Sequence, residues 1–160
     1  MISGRKLTAV LTLITSIGML TAITIATNTE FILPPFLATA ATKYPDPDWN
    51  RHRSLVILTS YLLSGAVGVA FSLLHLYGLI LAVVASFISF IVMVMINIEH
   101  PPAVLATFLG VLRRVGPTYL LHPIMTGVLI IEGINYLMTR YVEPRLKLTI
   151  NPRLRTANNG

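Results

Sequence analysis

The residues with the clearest chemical potential surround position 100, where an amide and a carboxylate precede one histidine and two prolines. The stretch reads NIEHPPAVLATF and runs from Asn97 to Phe108. A histidine such as His100 titrates near neutral pH, so it can contact an anion or act as a proton-sensitive gate. The alternative is a histidine that only fixes the turn. Glu99 repels an anion when it is ionised, unless it pairs with His100 or a nearby arginine, or carries a proton.

The two prolines predict the start of a helix. Pro101 and Pro102 lose nothing in the first turn, because the N–H group that proline lacks has no partner there. The N–H groups that follow, beginning at Ala103, present roughly half a positive charge, which stabilises a nearby anion by about 0.3–2 kcal/mol. We therefore expect the N-terminus of this helix to bind a small anion. The alternative is an ordinary helix start after a loop.

A second polar pair interrupts the last apolar run of the chain. Glu132 and Asn135 are three residues apart, so they share one face of a helix. A carboxylate inside a membrane helix marks a functional site by default and usually faces inward. The alternative is a structural role for Glu132, with His122, His75 or Asn97 as its partner.

The chain carries no pattern typical of an enzyme. The four histidines lack metal-ligand spacing with the acids, and there is neither a nucleophile elbow nor a phosphate loop. With no cysteine, thiolate metal sites and disulfides are excluded. A metal would have to be held by residues far apart in the sequence: His75, His100, His122 and Glu132. We therefore expect neither an enzyme nor a cofactor.

The composition is that of a membrane protein. Of the 160 residues, 54% are hydrophobic and only 11% are charged, with a mean hydropathy of +0.76. Soluble domains average roughly a quarter charged residues, so this chain cannot cover a soluble surface. The net charge of +6 comes from basic residues in loops and tails. That position favours anchoring at a lipid bilayer over nucleic-acid binding.

Four apolar runs, each about 21 residues or roughly 31 Å as a helix, predict membrane spans, and the last of them carries Glu132. The first is longer than the apolar centre of a cleaved signal peptide, about 7–15 residues, which is the alternative for it. A shorter apolar segment, Phe36–Thr42, predicts a half-helix. We expect one domain over residues 1–139 and a basic tail over 140–160. The four runs are Leu7–Thr27, Ser54–Leu74, Gly78–Ile98 and Thr118–Met138.

The first and second halves of the chain share an order of elements. LPPFLATAA, with Pro34 and Pro35, follows Glu30, as HPPAVLATF follows Glu99. Each half reads span, acid, proline pair, short helix, loop, span. A true repeat of two spans and one re-entrant half-helix would bring both half-helices to the same side of the membrane, where their N-termini meet. Paired interrupted segments of this kind point to a transport site; the alternative is a chance match of short apolar stretches.

The basic residues give an expectation for orientation. With four spans both termini share one side, which holds seven Lys and Arg against five on the other. The positive-inside rule then places both termini in the cytoplasm, in the inner or plasma membrane of the cell. The other five flank the proline segments and either steer anions into a basic mouth or only anchor helix ends. They are Lys43, Arg51, Arg53, Arg113 and Arg114.

The stretch EHPPAVLAT resembles the signature of the HPP family of integral membrane proteins, named for a His-Pro-Pro tripeptide. The resemblance extends from PPFLATAA through the glycine-containing second span to Asn135, about two-thirds of the chain. Two departures stand out. Family members often have small residues where this chain has Val104 and Leu105, and a Gly-His pair where it has Ser60 and Tyr61. The bulkier side chains could narrow a path or change what passes.

The resemblance implies a compact four-span domain, and plant and cyanobacterial members are implicated in nitrite transport. We therefore expect an all-α integral membrane protein with four spans and two proline-headed half-helices. It would move a small inorganic anion across the membrane as a channel or facilitator, with nitrite as the first candidate. It would form a homo-oligomer, because four spans leave little room for a pore within one subunit. The alternatives are a channel for small neutral solutes and a membrane scaffold or regulatory subunit.

Overall fold

The computed structural model describes residues 4–43 and 48–150, and all regular structure in these ranges is helical. Tyr44, Arg153 and Arg155 lie outside the described residues, as do the side chains of Arg5 and Lys147. Seven α-helices follow one another: α1 (Gly4–Ala26), α2 (Leu33–Thr42), α3 (Arg51–Leu73), α4 (Leu79–Met95), α5 (Pro101–Arg113), α6 (Thr126–Leu137) and α7 (Glu143–Ile150). Short 3₁₀ turns cover Glu30–Ile32 and Pro117–Leu120, and wider π turns cover Leu121–Met125 and Met138–Val142.

Among the residues that the structure describes, three helical segments are long and apolar enough to cross a membrane. They are Lys6–Ala26, Arg51–Leu73 and Pro117–Leu146, and we call the third of these the last span. Helix α4, the predicted third span, has 17 residues, or about 25 Å. Helices α2 and α5 have 10 and 13 residues, and both carry proline in their first turn. The prediction of a multi-pass helical membrane protein is confirmed.

Local sequence explains where the helices begin. The side chain of Asn50 accepts hydrogen bonds from the backbone N–H groups of His52 (2.8 Å) and Arg53 (3.3 Å), so it caps α3. Gly78 adopts φ 111° immediately before α4, a conformation that glycine tolerates best. The α3–α4 turn is therefore tight, and these two helices run in opposite directions.

The contacts between helices fix their relative directions. Ser54 at the start of α3 bonds Glu132 midway along the last span, while Gly65 packs against Leu120 and Ile124 early in it. The last span is therefore antiparallel to α3. It is also antiparallel to α1, whose first half lines a cavity with Asn135. It follows that α1 and α3 run in the same direction.

We call the end of the bundle where α1 and α3 begin the first end, and the opposite end the second end. Helix α5 runs parallel to α3, because Thr107 donates to the Ser64 carbonyl and Gly68 faces Thr107 and Gly110. Helix α2 runs antiparallel to α5, so the start of α2 lies beside the end of α5. There the Arg113 guanidinium lies 5.4 Å from the centroid of the Phe31 ring.

These directions correct two predictions. The half-helices do not return the chain to the side from which it came; α2 leads from the second end towards the first, and α5 leads back. Their proline-headed N-termini point to opposite ends of the bundle and do not meet around one anion. The reason lies in the contacts of the segments flanking α2: Phe31 lies beside Arg113 at the second end, and Lys43 shares Glu132 with Ser54 at the first.

The core lies where α2, α3 and the last span meet. Phe36, Tyr61 and Ile124 are fully buried there, and the Phe36 and Tyr61 ring centroids are 5.2 Å apart. Gly127 makes this packing possible, since a Cβ at that position would lie 2.2 Å from the Phe36 ring. The ring of Phe36 therefore packs directly against the backbone of the last span at the centre of the bundle.

Candidate functional site

A chain of buried hydrogen bonds joins α2, α3 and the start of α5. Tyr61 donates its hydroxyl to the Pro35 carbonyl at 2.7 Å and lies 2.8 Å from the Thr39 hydroxyl. The Thr39 hydroxyl in turn lies 2.8 Å from Nε2 of His100. Buried polar groups of this kind need partners, because an unpaired one costs about 1–3 kcal/mol. His100 does not cap its own helix with its side chain; it ties α5 to α2.

An ion pair lies next to this chain, towards the first end. Lys43, at the end of α2, places Nζ 2.7 Å from Oε1 of Glu132, and the two side chains are only 5% and 10% exposed. Ser54 donates its hydroxyl to Oε2 of Glu132 at 2.5 Å. Removing two charges from water costs several kcal/mol per ion before their attraction is counted. A pair at this depth therefore requires close partners on all sides.

A small cavity of about 10 Å³ lies beside Lys43. Space of this size holds about one water molecule. Thr12 and Ser16 of α1 line it together with Lys43 and Asn135. Ala9, Leu13 and Ala40 complete the lining, so polar and apolar side chains share the cavity wall. The cavity joins the first-end half of α1 to the ion pair.

Sequence reasoning missed the most informative residue of this cluster. The sequence predicted Lys43 only as one of the basic loop residues, whereas the structure buries its side chain. The signal was its position directly after the apolar segment FLATAAT, at the end of a helix that begins with two prolines. Thr39 was also missed, and Tyr61 was noted only as a departure from the family pattern.

The acids and amides predicted for the pathway divide into two groups. Glu132 and Asn135 are buried, at 8% and 1% exposure, and face Lys43 and the cavity. The partners of Glu132 are Lys43 and Ser54, and not the predicted His122, His75 or Asn97. Asn97 and Glu99 are exposed in the loop before α5 and lie outside this cluster.

The proline-headed helix starts contribute little to the cluster. Pro35 is buried and offers its carbonyl to Tyr61, whereas Pro34 is exposed. Pro101 is exposed on the outer face of α5, Pro102 is half-buried, and only Ala103 is fully buried.

The structure divides the predicted basic mouth between the two ends of the bundle. Arg51 and Arg53 lie at the first end, with Arg53 donating to the Asp48 carbonyl at 2.7 Å. Arg113 and Arg114 lie at the second end, where Arg114 is 4.5 Å from the centroid of the Tyr77 ring. The four arginines therefore do not share one end of the bundle in the structure, because α3 begins at the end where α1 begins.

The bulky residues after the tripeptide do not narrow the interior. Val104 and Leu105 line an apolar groove of about 360 Å³ on the outside of α4 and α5, together with Phe87 and Phe108. Tyr61, the other departure, does lie inside and occupies the centre of the hydrogen-bond chain.

The histidines do not form a metal centre within the part of the chain that the structure describes, where no three His, Asp or Glu side chains come together. His75 contacts Tyr77 in the α3–α4 turn, and Nδ1 of His122 lies 2.9 Å from the Thr126 hydroxyl. Each histidine thus belongs to a different part of the bundle.

The long apolar helices and the polar cluster buried between them define a multi-pass helical membrane protein. The family assignment follows from comparison with family models. The chain belongs to the HPP family of transmembrane proteins, since the family model described as HPP, transmembrane region, matches residues 3–146. Comparison with curated proteins and with solved structures found no match.

Proposed function

We propose that this chain carries a small inorganic anion across a membrane as a channel or facilitator, with nitrite as the first candidate. The observation that carries the proposal is the buried Lys43 side chain, which lies beside Glu132, Thr12, Ser16 and Asn135 inside the bundle. Ionisable groups at this depth are costly and are typical of substrate and ion pathways. The choice of nitrite rests on the family resemblance, and that of an anion on the charge of Lys43.

The surroundings of Lys43 extend the cationic character of the site. Arg53 is half-buried near the same end, and His100 bonds Thr39 on the helix that ends at Lys43. The hydroxyl groups of Thr39 and Tyr61 continue from His100 towards the centre of the bundle. Hydroxyl donors bind an anion weakly enough to release it, which permeation requires.

An inverted repeat supports a transport site at the centre of the bundle. When α1 is exchanged with α4, α2 with α5 and α3 with the last span, every packed pair among them maps onto another packed pair. The exchange also reverses each helix direction. Inverted repeats of this kind place substrate sites near the bilayer midplane, between the halves. This packing order supports two inverted halves, in which α4 completes its half as a short span.

The basic residues favour a first end that faces the cytoplasm of a cell membrane. With the helix directions of the structure, six of the eight Lys and Arg side chains described lie at the first end, and only Arg113 and Arg114 lie at the second. An excess of this kind marks the cytoplasmic side. Both termini then lie in the cytoplasm, as the sequence analysis expects. The six are Lys6, Lys43, Arg51, Arg53, Arg140 and Arg145.

A channel for small neutral solutes is the second candidate, and one observation favours it. Glu132 neutralises Lys43 in the structure, so the pair as it stands offers a site without net charge. A neutral solute would hydrogen-bond to the hydroxyl chain without separating the two charges. A scaffold role, as a homo-oligomer or a regulatory subunit, requires no flux at all.

The test is flux into proteoliposomes that contain the purified protein. Nitrite uptake is followed beside the permeation of glycerol and of water, with protein-free liposomes as the control. The proposal predicts nitrite uptake above the control, with glycerol and water at the control level. Glycerol or water flux without nitrite uptake supports the neutral channel instead, and no flux of any solute supports the scaffold.

A further inference from the structure

The Lys43–Glu132 pair raises the question of how an anion reaches a cation that a carboxylate already occupies. Glu132 Oε1 lies 2.7 Å from Nζ of Lys43, and the pair is almost fully buried. An arriving anion would lie beside a second negative charge in a medium of low dielectric constant. Like charges at such distances repel strongly, and burial removes the water that would screen them.

Protonation of Glu132 removes this conflict. We propose that Glu132 is a proton carrier, so that each anion bound at Lys43 crosses the membrane together with one proton on the Glu132 carboxyl. This inference rests on the proposed transport of an anion. In the empty site Lys43 and Glu132 neutralise each other. In the loaded site the anion neutralises Lys43 while the protonated Glu132 is uncharged, so the number of buried net charges is the same in both states.

The contacts of Glu132 suit a carboxyl that gains and loses a proton. Oε2 accepts the Ser54 hydroxyl at 2.5 Å, which holds the group in place in either state. Among the residues described, Oε1 has no hydrogen-bond donor apart from its ion contact with Lys43. Oε1 is therefore the oxygen that takes the proton when Lys43 turns to the anion.

The space that an anion needs adjoins the pair. The cavity beside Lys43 already holds about 10 Å³ between the hydroxyls of Thr12 and Ser16 and the Asn135 side chain. Separation of the Lys43 ammonium group from Glu132 enlarges this space next to the Thr12 and Ser16 side chains. The anion then replaces the Glu132 carboxylate as the partner of Lys43. Hydroxyl and amide groups donate hydrogen bonds to its other oxygens.

Glu132 is the carboxylate that contacts Lys43 in the ion pair, and Glu143 at the start of α7 is a second buried carboxylate of the last span. Helix α2 contributes Lys43 and α3 contributes Ser54 to the carboxylate, while α1 lines the adjacent cavity without a charged side chain. Glu99 lies exposed in the loop before α5. It therefore serves as a matched control: a carboxylate near the same end that does not contact Lys43.

The proposal is tested by proton movement in proteoliposomes, with nitrate as the probe beside nitrite. Nitric acid is fully ionised at neutral pH, so no neutral acid leaks through the lipid. With wild-type protein, an inward nitrate gradient should acidify the lumen by about one proton per anion, because charge balance requires it. A membrane potential set with a potassium ionophore should leave the rate unchanged, and lower external pH should raise it.

The variant Glu132→Gln keeps the shape of the side chain and cannot carry the proton. We expect nitrate uptake to continue, to lose its pH dependence, to become sensitive to the membrane potential and to acidify nothing. Glu99→Gln should behave as the wild type. Nitrate or nitrite flux in the wild type without proton movement overturns the inference and leaves the anion transport intact. Loss of coupling in Glu99→Gln overturns it as well.

Two further results remain decisive. If Glu132→Gln does not fold, the wild-type proton-to-anion ratio and its insensitivity to voltage decide the matter alone. If the wild type moves no anion, the proposed function fails, and the inference fails with it.

Discussion

The buried Lys43–Glu132 pair allows a quantitative test of the structure by a double-mutant cycle. The changes are Lys43→Met, Glu132→Gln and the two together. Methionine keeps the length of the lysine side chain and glutamine keeps the shape of the carboxyl group, so the changes remove charge with little loss of volume. Each single change leaves one partner without its counterpart at 5–10% exposure.

The expected magnitude follows from that burial. Breaking a buried pair by removing one partner costs about 3–5 kcal/mol, whereas replacing both partners is often neutral or stabilising. For a chain of this size, about 2–4 °C of melting temperature corresponds to 1 kcal/mol. Each single variant should therefore melt about 6–20 °C below the wild type. The double variant should recover most of that difference.

The assay is thermal unfolding of purified protein in detergent, followed by intrinsic or dye fluorescence. Arg51→Gln is the control, since Arg51 is exposed at the same end of the bundle and surface changes stay within about 0.5 kcal/mol. Losses that simply add in the double variant, or single variants as stable as Arg51→Gln, would show that the two side chains are not paired in the folded protein.

Three further predictions test the fold and the hydrogen-bond chain. Gly127→Ala should cost about 1–3 kcal/mol by overpacking against Phe36, and Phe36→Leu should restore part of it; unchanged melting would refute the contact. Tyr61→Phe should cost about 1–3 kcal/mol by leaving buried acceptors unpaired, and a loss below 0.5 kcal/mol in the same melting assay would contradict the bond. The chain has no cysteine, so Gly116→Cys should react with an impermeant maleimide added outside intact cells, whereas His52→Cys should react only after permeabilisation. Equal labelling of both positions from outside would support the predicted four-span topology with re-entrant half-helices instead.

The sequence was sufficient for the class of protein because the relevant signal is local. Long uncharged runs and a deficit of charged residues indicate membrane helices wherever they occur. The starts of α2 and α5 were also predictable, since the proline pairs mark a first helical turn without help from distant residues. The inward position of Glu132 and Asn135 followed from their spacing and the cost of burying a carboxylate in lipid.

The direction of the short helices could not be read from the sequence. A segment of 10 residues can turn back or lead on, and its neighbours decide between the two. The direction of the short helices determines which residues share an end of the bundle. The sequence analysis therefore grouped four arginines that the structure places at two different ends. Lys43 was missed for the same reason. In a four-span topology it lies in a loop, whereas in the structure it ends a helix beside Glu132.

The most direct test of the account is nitrite uptake by two matched preparations in proteoliposomes. One contains the wild type and the other the Lys43→Gln/Glu132→Gln variant, in which a neutral pair replaces the ion pair. The fold should be retained in both, as checked by thermal unfolding. Wild-type uptake should saturate with nitrite concentration and exceed that of protein-free liposomes, and the variant should fall to the level of those liposomes. Equal uptake by the two preparations, or wild-type uptake no greater than that of protein-free liposomes, would contradict the claim that the buried lysine carries the anion.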